Sequence, residues 1–245
     1  MVKDEVYSKQ FFEMHKYWRK YYSDIADWLW LSFKPRSVID FGCGNGFIIS
    51  ELRKRRASVI GLEGSKNAIE NIPENVRKYV KTIDITRRLN FGKYDLAISS
   101  EVAEHLSERS ADVFLSNLTS HSDLVYFTAA EPRQGGLEHM NEQPHEYWIE
   151  KFNMRGFILL MDKSKAIRKH LEILWDQDGK SPSWFVKNSM VFRKAARNDT
   201  SLVNRQFVFS RIGRKLHIYI LRRYLRMLLR RTKIKPAYSL VLCFP

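Results

Sequence analysis

A short apolar stretch that runs straight into three alternate glycines constrains this chain more than anything else in it. Ser37 to Phe41 (Ser-Val-Ile-Asp-Phe) has the length and branching of a buried strand, and it opens directly into Asp40-Phe41-Gly42-Cys43-Gly44-Asn45-Gly46. Glycines at alternate positions let a backbone turn sharply and lie against a ligand with no Cβ in the way. A dinucleotide fingerprint would put its third glycine where Phe47 stands, so this loop argues for a different nucleotide-like ligand.

The residues beyond the loop have the rhythm of an α/β chain. A helix is expected over Phe47 to Arg56, a strand over Ser58 to Leu62, a short helix near Asn67, and strands over Tyr79 to Asp84 and Tyr94 to Ser99. A helix from Leu106 to Ser120 and a strand from Asp123 to Thr128 continue the alternation. Strands of this length separated by helices imply a parallel sheet covered on both faces, with ligands at the carboxyl ends of the strands. Pro144 marks a helix start with Trp148 and Phe152 on its buried side, Gly156 stops it, and Phe157 to Met161 and Asn188 to Phe192 are candidates for the last strands. The aromatic-rich segment before residue 37 (Phe11, Phe12, Tyr17, Trp18, Tyr21, Tyr22, Trp28, Trp30) reads as helical and partly buried, ended by Pro35.

Two acids stand where such a sheet would present them to a ligand. Glu63 follows Asp40 by 23 residues, at the end of the next strand in Val-Ile-Gly-Leu-Glu, where a carboxylate can accept from both hydroxyls of a ribose. Asp84 ends the third strand with Ile85 beside it, and Ser100 closes the fourth. Together with the loop, these positions resemble the cofactor site of the class I S-adenosylmethionine-dependent methyltransferases, a likeness covering roughly residues 35 to 193. The resemblance implies a Rossmann-like sheet with helices on both faces. It also implies S-adenosylmethionine as cofactor, wrapped by Gly42, Cys43, Gly44 and Gly46, with Asp40 ordering the loop or holding the amino group. Glu63 would then take the ribose, Asp84 the adenine amino group, Ile85 the ring, and Ser100 a place in the lining. Cys43 reads as a small loop filler and not as a reactive thiol.

Directly after the fourth strand comes Ser100-Glu101-Val102-Ala103-Glu104-His105, where a methyl acceptor would approach. A hydroxyl acceptor needs its proton removed, and His105 is the natural base at neutral pH. Glu-x-x-Glu-His resembles ubiquinone-biosynthesis O-methyltransferases and small-RNA 2′-O-methyltransferases. By likeness to the RNA group, Glu101, Glu104, His105 and His139 would hold magnesium, although histidine is an unusual partner for that ion. The bland alternative is that Glu104 and His105 only open the following helix. The stretch from His139 to Phe152 resembles methyltransferases associated with surface polysaccharides, which would put His139, Asn141 and Gln143 in the acceptor pocket. Tyr147, Trp148 and Phe152 read as core, and His145 as a helix-start residue.

Charge divides the chain in two. From Arg193 onward there are 14 Lys and Arg against one acid, Asp199, whereas residues 1 to 192 carry 28 against 26, so nearly all of the net +15 belongs to the end of the sequence. Residues 1–195 are therefore expected to form the methyltransferase domain and 196–245 a basic amphipathic extension. Residues 211–235 carry ten basic residues and no acid, interleaved with leucines, which suits an anionic membrane surface better than nucleic acid. Arg222, Arg223 and Arg226 interrupt the most apolar part and exclude a simple membrane span. Two distant cysteines exclude a disulfide framework, and the opening residues do not read as a signal peptide, so a cytoplasmic protein, peripheral to a membrane, is expected. Three functions stay open at this point: O-methylation of a sugar, glycan or lipid-linked small molecule, metal-assisted RNA 2′-O-methylation, and an inactive cofactor-binding scaffold.

Overall fold

The computed structural model describes residues 7–175, 183–196 and 199. Seven strands, β1 (Ser37–Phe41), β2 (Ser58–Glu63), β3 (Val80–Thr82), β4 (Leu96–Ser100), β5 (Leu124–Thr128), β6 (Phe157–Leu159) and β7 (Met190–Lys194), form one sheet in the order β3-β2-β1-β4-β5-β7-β6. The first five are parallel and β7 runs antiparallel to both β5 and β6. This confirms the Rossmann-like α/β expectation. The strand order reverses between β1 and β4, and at such a switch point the loops leave a crevice above the carboxyl ends of the strands.

Side chains alternate across this sheet into two cores. Ile39, Ala97, Val125 and Phe127 point to one face, under α6 (Glu108–His121) and α7 (His145–Asn153). Val38, Leu96, Ile98, Tyr126 and Val191 point to the other, under α2 (Arg19–Phe33), α3 (Phe47–Lys54) and α8 (Met161–Trp175). Because both faces are buried, the strands read as continuous apolar runs and not as alternating ones. Phe152 stacks on Phe192 at 3.9 Å between ring centres and meets Phe127 edge-on, so Trp148 and Phe152 are core, as expected.

Several boundaries move for local reasons. The third strand is only Val80–Thr82, because it lies at the sheet edge and Asp84 folds back to accept from Thr86. The helix after β4 starts at Glu108, since Leu106 is extended and the Ser107 side chain caps the first turn. α8 and α9 (Ser183–Asn188) were not expected from the sequence. The signal for α8 is the buried stripe Ser164, Ile167, Leu171 and Trp175, spaced three and four apart. α1 (Lys9–His15), capped by Ser8, and a 3-10 turn, Lys16–Trp18, lead into α2, so the aromatic N-terminal segment is helical. α4 (Lys66–Glu70) and the short α5 (Glu74–Arg77) complete the set. Among the described residues no helix is long and apolar enough to cross a membrane. The basic segment 211–235 lies outside the described residues.

Candidate active site

The carboxyl ends of β1, β2 and β4 open into a cavity of about 890 Å³, and every cofactor candidate named from the sequence except Gly46 lines it. Gly42, Gly44 and Gly46 all have positive φ. A Cβ on Gly42 would sit 2.6 Å from a Val102 methyl, so the loop closes tightly against the segment after β4. A Cβ on Gly44 would meet nothing within 4 Å and would project into open space beside the loop, which is what a backbone cradle for a ligand looks like. Gly46 stands behind, as the left-handed N-cap of α3.

Glu63 fastens this cradle. Its Oε2 accepts from the Gly44 amide at 2.8 Å, and its Oε1 accepts from the amides of Gly64 and Ser65, each at 2.8 Å. Asp40 is buried, and desolvation together with the neighbouring Glu63 pushes its pKa up to about 8. Asp84 goes the other way: hydrogen bonds from the Thr86 hydroxyl (2.6 Å) and amide (3.0 Å) hold it below the usual carboxylate range. Ile85 is 8% exposed beside it. Burial pushes the Cys43 thiol well above its ordinary range and its sulfur packs over Gly61, in keeping with a loop filler.

On the wall of the same cavity, Glu104, His105 and His139 come together, and Glu101 lines the cavity beside them. Carboxylate and imidazole atoms of Glu104, His105 and His139 lie within 4.8 Å of one another, and the two imidazole rings meet edge-on with centres 4.8 Å apart. Glu104 is fully buried with no well-formed hydrogen bond to either carboxylate oxygen, although the amides of Glu104 and Ala130 and the Glu101 carboxyl lie near, and burial, then Glu101, drive its pKa well above normal. Glu101 sits at φ 53°, a left-handed conformation that costs a non-glycine residue roughly 1–2 kcal/mol. Its amide bonds Thr128, and its carboxylate accepts from Gln134 Nε2 at 3.1 Å and Asn188 Nδ2 at 3.1 Å. Burial lowers the pKa of His105 to about 4, which keeps the imidazole neutral. The helix-opening alternative for Glu104 and His105 fails, because they form a 3-10 turn of their own, Ala103–His105, ahead of the cap at Ser107.

Two expectations need correction. Asn141 and Gln143 do not line the cavity; they stand behind its wall, where the Asn141 amide donates to the Glu104 carbonyl and Gln143 donates to the Asn141 side chain. The N-terminal aromatics, expected only as a helical and partly buried segment, also form part of the cavity wall. Tyr7, Phe11, Phe12, Trp18 and Tyr22 line the cavity together with Trp184 and Phe185 of α9. The Tyr7 hydroxyl lies 2.9 Å from His105 Nδ1, and Asn45 and Asn67 donate to the Phe12 and Tyr7 carbonyls. An aromatic-rich segment before a glycine loop was the available signal, but sequence alone does not distinguish a buried ring from one that faces a ligand.

A family of methyltransferase domains matches residues 13–152, more than half of the chain. The chain belongs to this family. Among solved structures, the methyltransferase resembles magnesium protoporphyrin IX methyltransferase from Synechocystis PCC 6803 with bound S-adenosylhomocysteine. That match has 17% identity and a TM-score of 0.52, covering 71% of this chain and 81% of that one. The O-methyltransferase of a Brevibacillus brevis polyketide synthase, also with S-adenosylhomocysteine, matches at 15% identity and TM-score 0.49, over 70% and 72% of the two chains. No curated protein sequence matches. The fold, the family and the cradle agree on an S-adenosylmethionine-dependent methyltransferase.

Proposed function

We propose that the methyltransferase transfers the methyl group of S-adenosylmethionine to a hydroxyl of a sugar, glycan or lipid-linked acceptor. The observation that carries this reading is the convergence of Glu104, His105 and His139 on the wall of the cavity that the cofactor cradle also lines. The bound cofactor supplies an electrophilic sulfonium methyl. Asp40 and the amide of Gly44 suit its amino acid end, Glu63 its ribose and Asp84 its adenine. His105, neutral above about pH 4, is placed to take the proton of the acceptor hydroxyl. In this reading the Tyr7 hydroxyl and Nδ1 share a hydrogen bond, and the unprotonated ring nitrogen is the base. The Glu138 and Leu137 carbonyls favour the charged ring, so they stabilise the imidazolium as it forms. The aromatic wall excludes water from the reacting hydroxyl.

The test is methyl transfer from labelled cofactor to fractionated glycan, lipid and RNA extracts. His105→Ala should lower turnover by about 100-fold or more with cofactor affinity unchanged. Label appearing only in amine-bearing products sinks the hydroxyl reading.

A second reading has one specific observation behind it. Glu104, His105 and His139 have the spacing of a divalent-cation site, and the buried Glu104 carboxylate would be satisfied by an ion. One carboxylate with two imidazoles suits manganese, iron or zinc better than magnesium. Such an ion could grip vicinal hydroxyls, as RNA 2′-O-methylation would need. Full turnover after exhaustive chelation removes this alternative.

A further inference from the structure

Chemical selectivity of the acceptor side is written in what the cavity wall contains and what it omits. The chain carries 42 Lys and Arg, yet none of them, among the described residues, lines the cavity. Six carboxyl residues do: Asp40, Glu63, Asp84, Glu101, Glu104 and Glu138. The first three are accounted for by the cofactor. Glu101, Glu104 and Glu138 are not, and they stand on the acceptor side of a wall that holds no described lysine or arginine. Of these, Glu104 is fully buried in the wall with no well-formed hydrogen bond to either oxygen.

The rest of that wall is aromatic. Trp18 and Trp184 come from opposite ends of the described chain and meet edge-on, ring centres 5.5 Å apart, while Phe11 and His15 lie 4.1 Å apart. The faces of aromatic rings are electron-rich and attract the weakly positive C–H face of a saturated ring. A phosphate entering this cavity would give up its hydration, and no described lysine or arginine lines the wall to offset that cost.

We propose that the part of the acceptor entering this cavity is uncharged and ring-faced, a neutral pyranoside unit, and that the cavity rejects phosphate-bearing acceptors such as sugar phosphates and RNA. This rests on the hydroxyl-methylation reading and narrows it. Within that reading, a lipid-linked glycan would present its terminal sugar and keep any phosphate outside.

The experiment uses the full chain, as purified and again after chelation. A set of p-nitrophenyl hexopyranosides is paired with the corresponding 6-phosphates, and a short oligouridylate is added. Binding is measured by equilibrium dialysis to protein saturated with S-adenosylhomocysteine, and labelled methyl transfer is measured alongside. Neutral members should bind at least about ten-fold more tightly than their phosphates in both preparations. In Glu138→Lys, which puts a cation on the wall beside His105, this binding ratio, read by dialysis alone, should fall toward one. Equal or tighter binding of the phosphorylated members or the oligouridylate to the unmodified chain overturns the proposal, and so does the absence of binding by every neutral member. Neutral members that bind selectively but take label elsewhere than on a hydroxyl, or take none, leave the charge selectivity standing and refute the hydroxyl reading.

Discussion

The hydroxyl of Tyr7 and Nδ1 of His105 lie 2.9 Å apart across 98 residues of sequence, so the N-terminal segment reaches over the cavity and touches the proposed base. Burial, then the charge of Glu104, push the Tyr7 pKa up to about 12, so the phenol keeps its proton at any working pH. Tyr7→Phe should leave cofactor affinity unchanged and lower kcat/KM about ten-fold, the usual worth of one neutral hydrogen bond. The acidic limb of the kcat/KM profile should move as well, which a merely structural contact would not cause.

Glu63 fastens the glycine cradle and is the proposed ribose partner. Glu63→Gln retains the shape but loses the charge that three amides point to. Charged hydrogen bonds contribute roughly 1.5–3 kcal/mol each, so cofactor affinity should weaken about 10- to 100-fold by calorimetry. Unchanged binding would refute the assignment.

Asp40 makes the free protein pH-sensitive in a defined direction. Its pKa is about 8 when folded and near the ordinary carboxylate value of about 3.9 when unfolded. The folded state therefore holds a proton that the unfolded state has lost, and stability contributed below about pH 4 disappears as pH rises toward 8. Glu101 and Glu104 shift the same way. Asp40→Asn should flatten part of the fall in Tm between pH 5 and 8, measured without cofactor, while weakening cofactor binding.

His105 has the opposite sign. Its pKa of about 4 when folded lies below the unfolded value near 6.5, so stability present above pH 6.5 is lost as pH falls toward 4. His105→Gln should flatten that acid-side decline in a pH series of thermal melts.

Asn188 holds Glu101 through Nδ2, which also donates to Gln134 Oε1 at 2.9 Å. Asn188→Ala leaves a buried carboxylate short of a donor and should lower stability by about 1–3 kcal/mol in denaturant titrations. Turnover should fall with it, because Glu101 loses its orientation.

The sheet and the glycine loop were legible in the amino-acid order, because these depend on local rules. Ser37–Phe41 has to be a strand, the alternate glycines have to turn, and Glu63 has to follow at the next strand end. The third strand was legible too, although it ends at Thr82 and leaves Asp84 in the loop beyond it. Glu101, Glu104 and His105 were legible as a local cluster, and the family resemblance added His139 to them. The remaining wall is set by long-range packing. Tyr7 against His105, Trp18 against Trp184 and Asn188 against Glu101 are contacts between distant segments, and no periodicity in either partner encodes the other. The same holds for Asn141, which the sequence placed in the pocket and the fold places behind it. Packing between helices that approach from opposite ends of the chain chooses which rings face a ligand and which face the core.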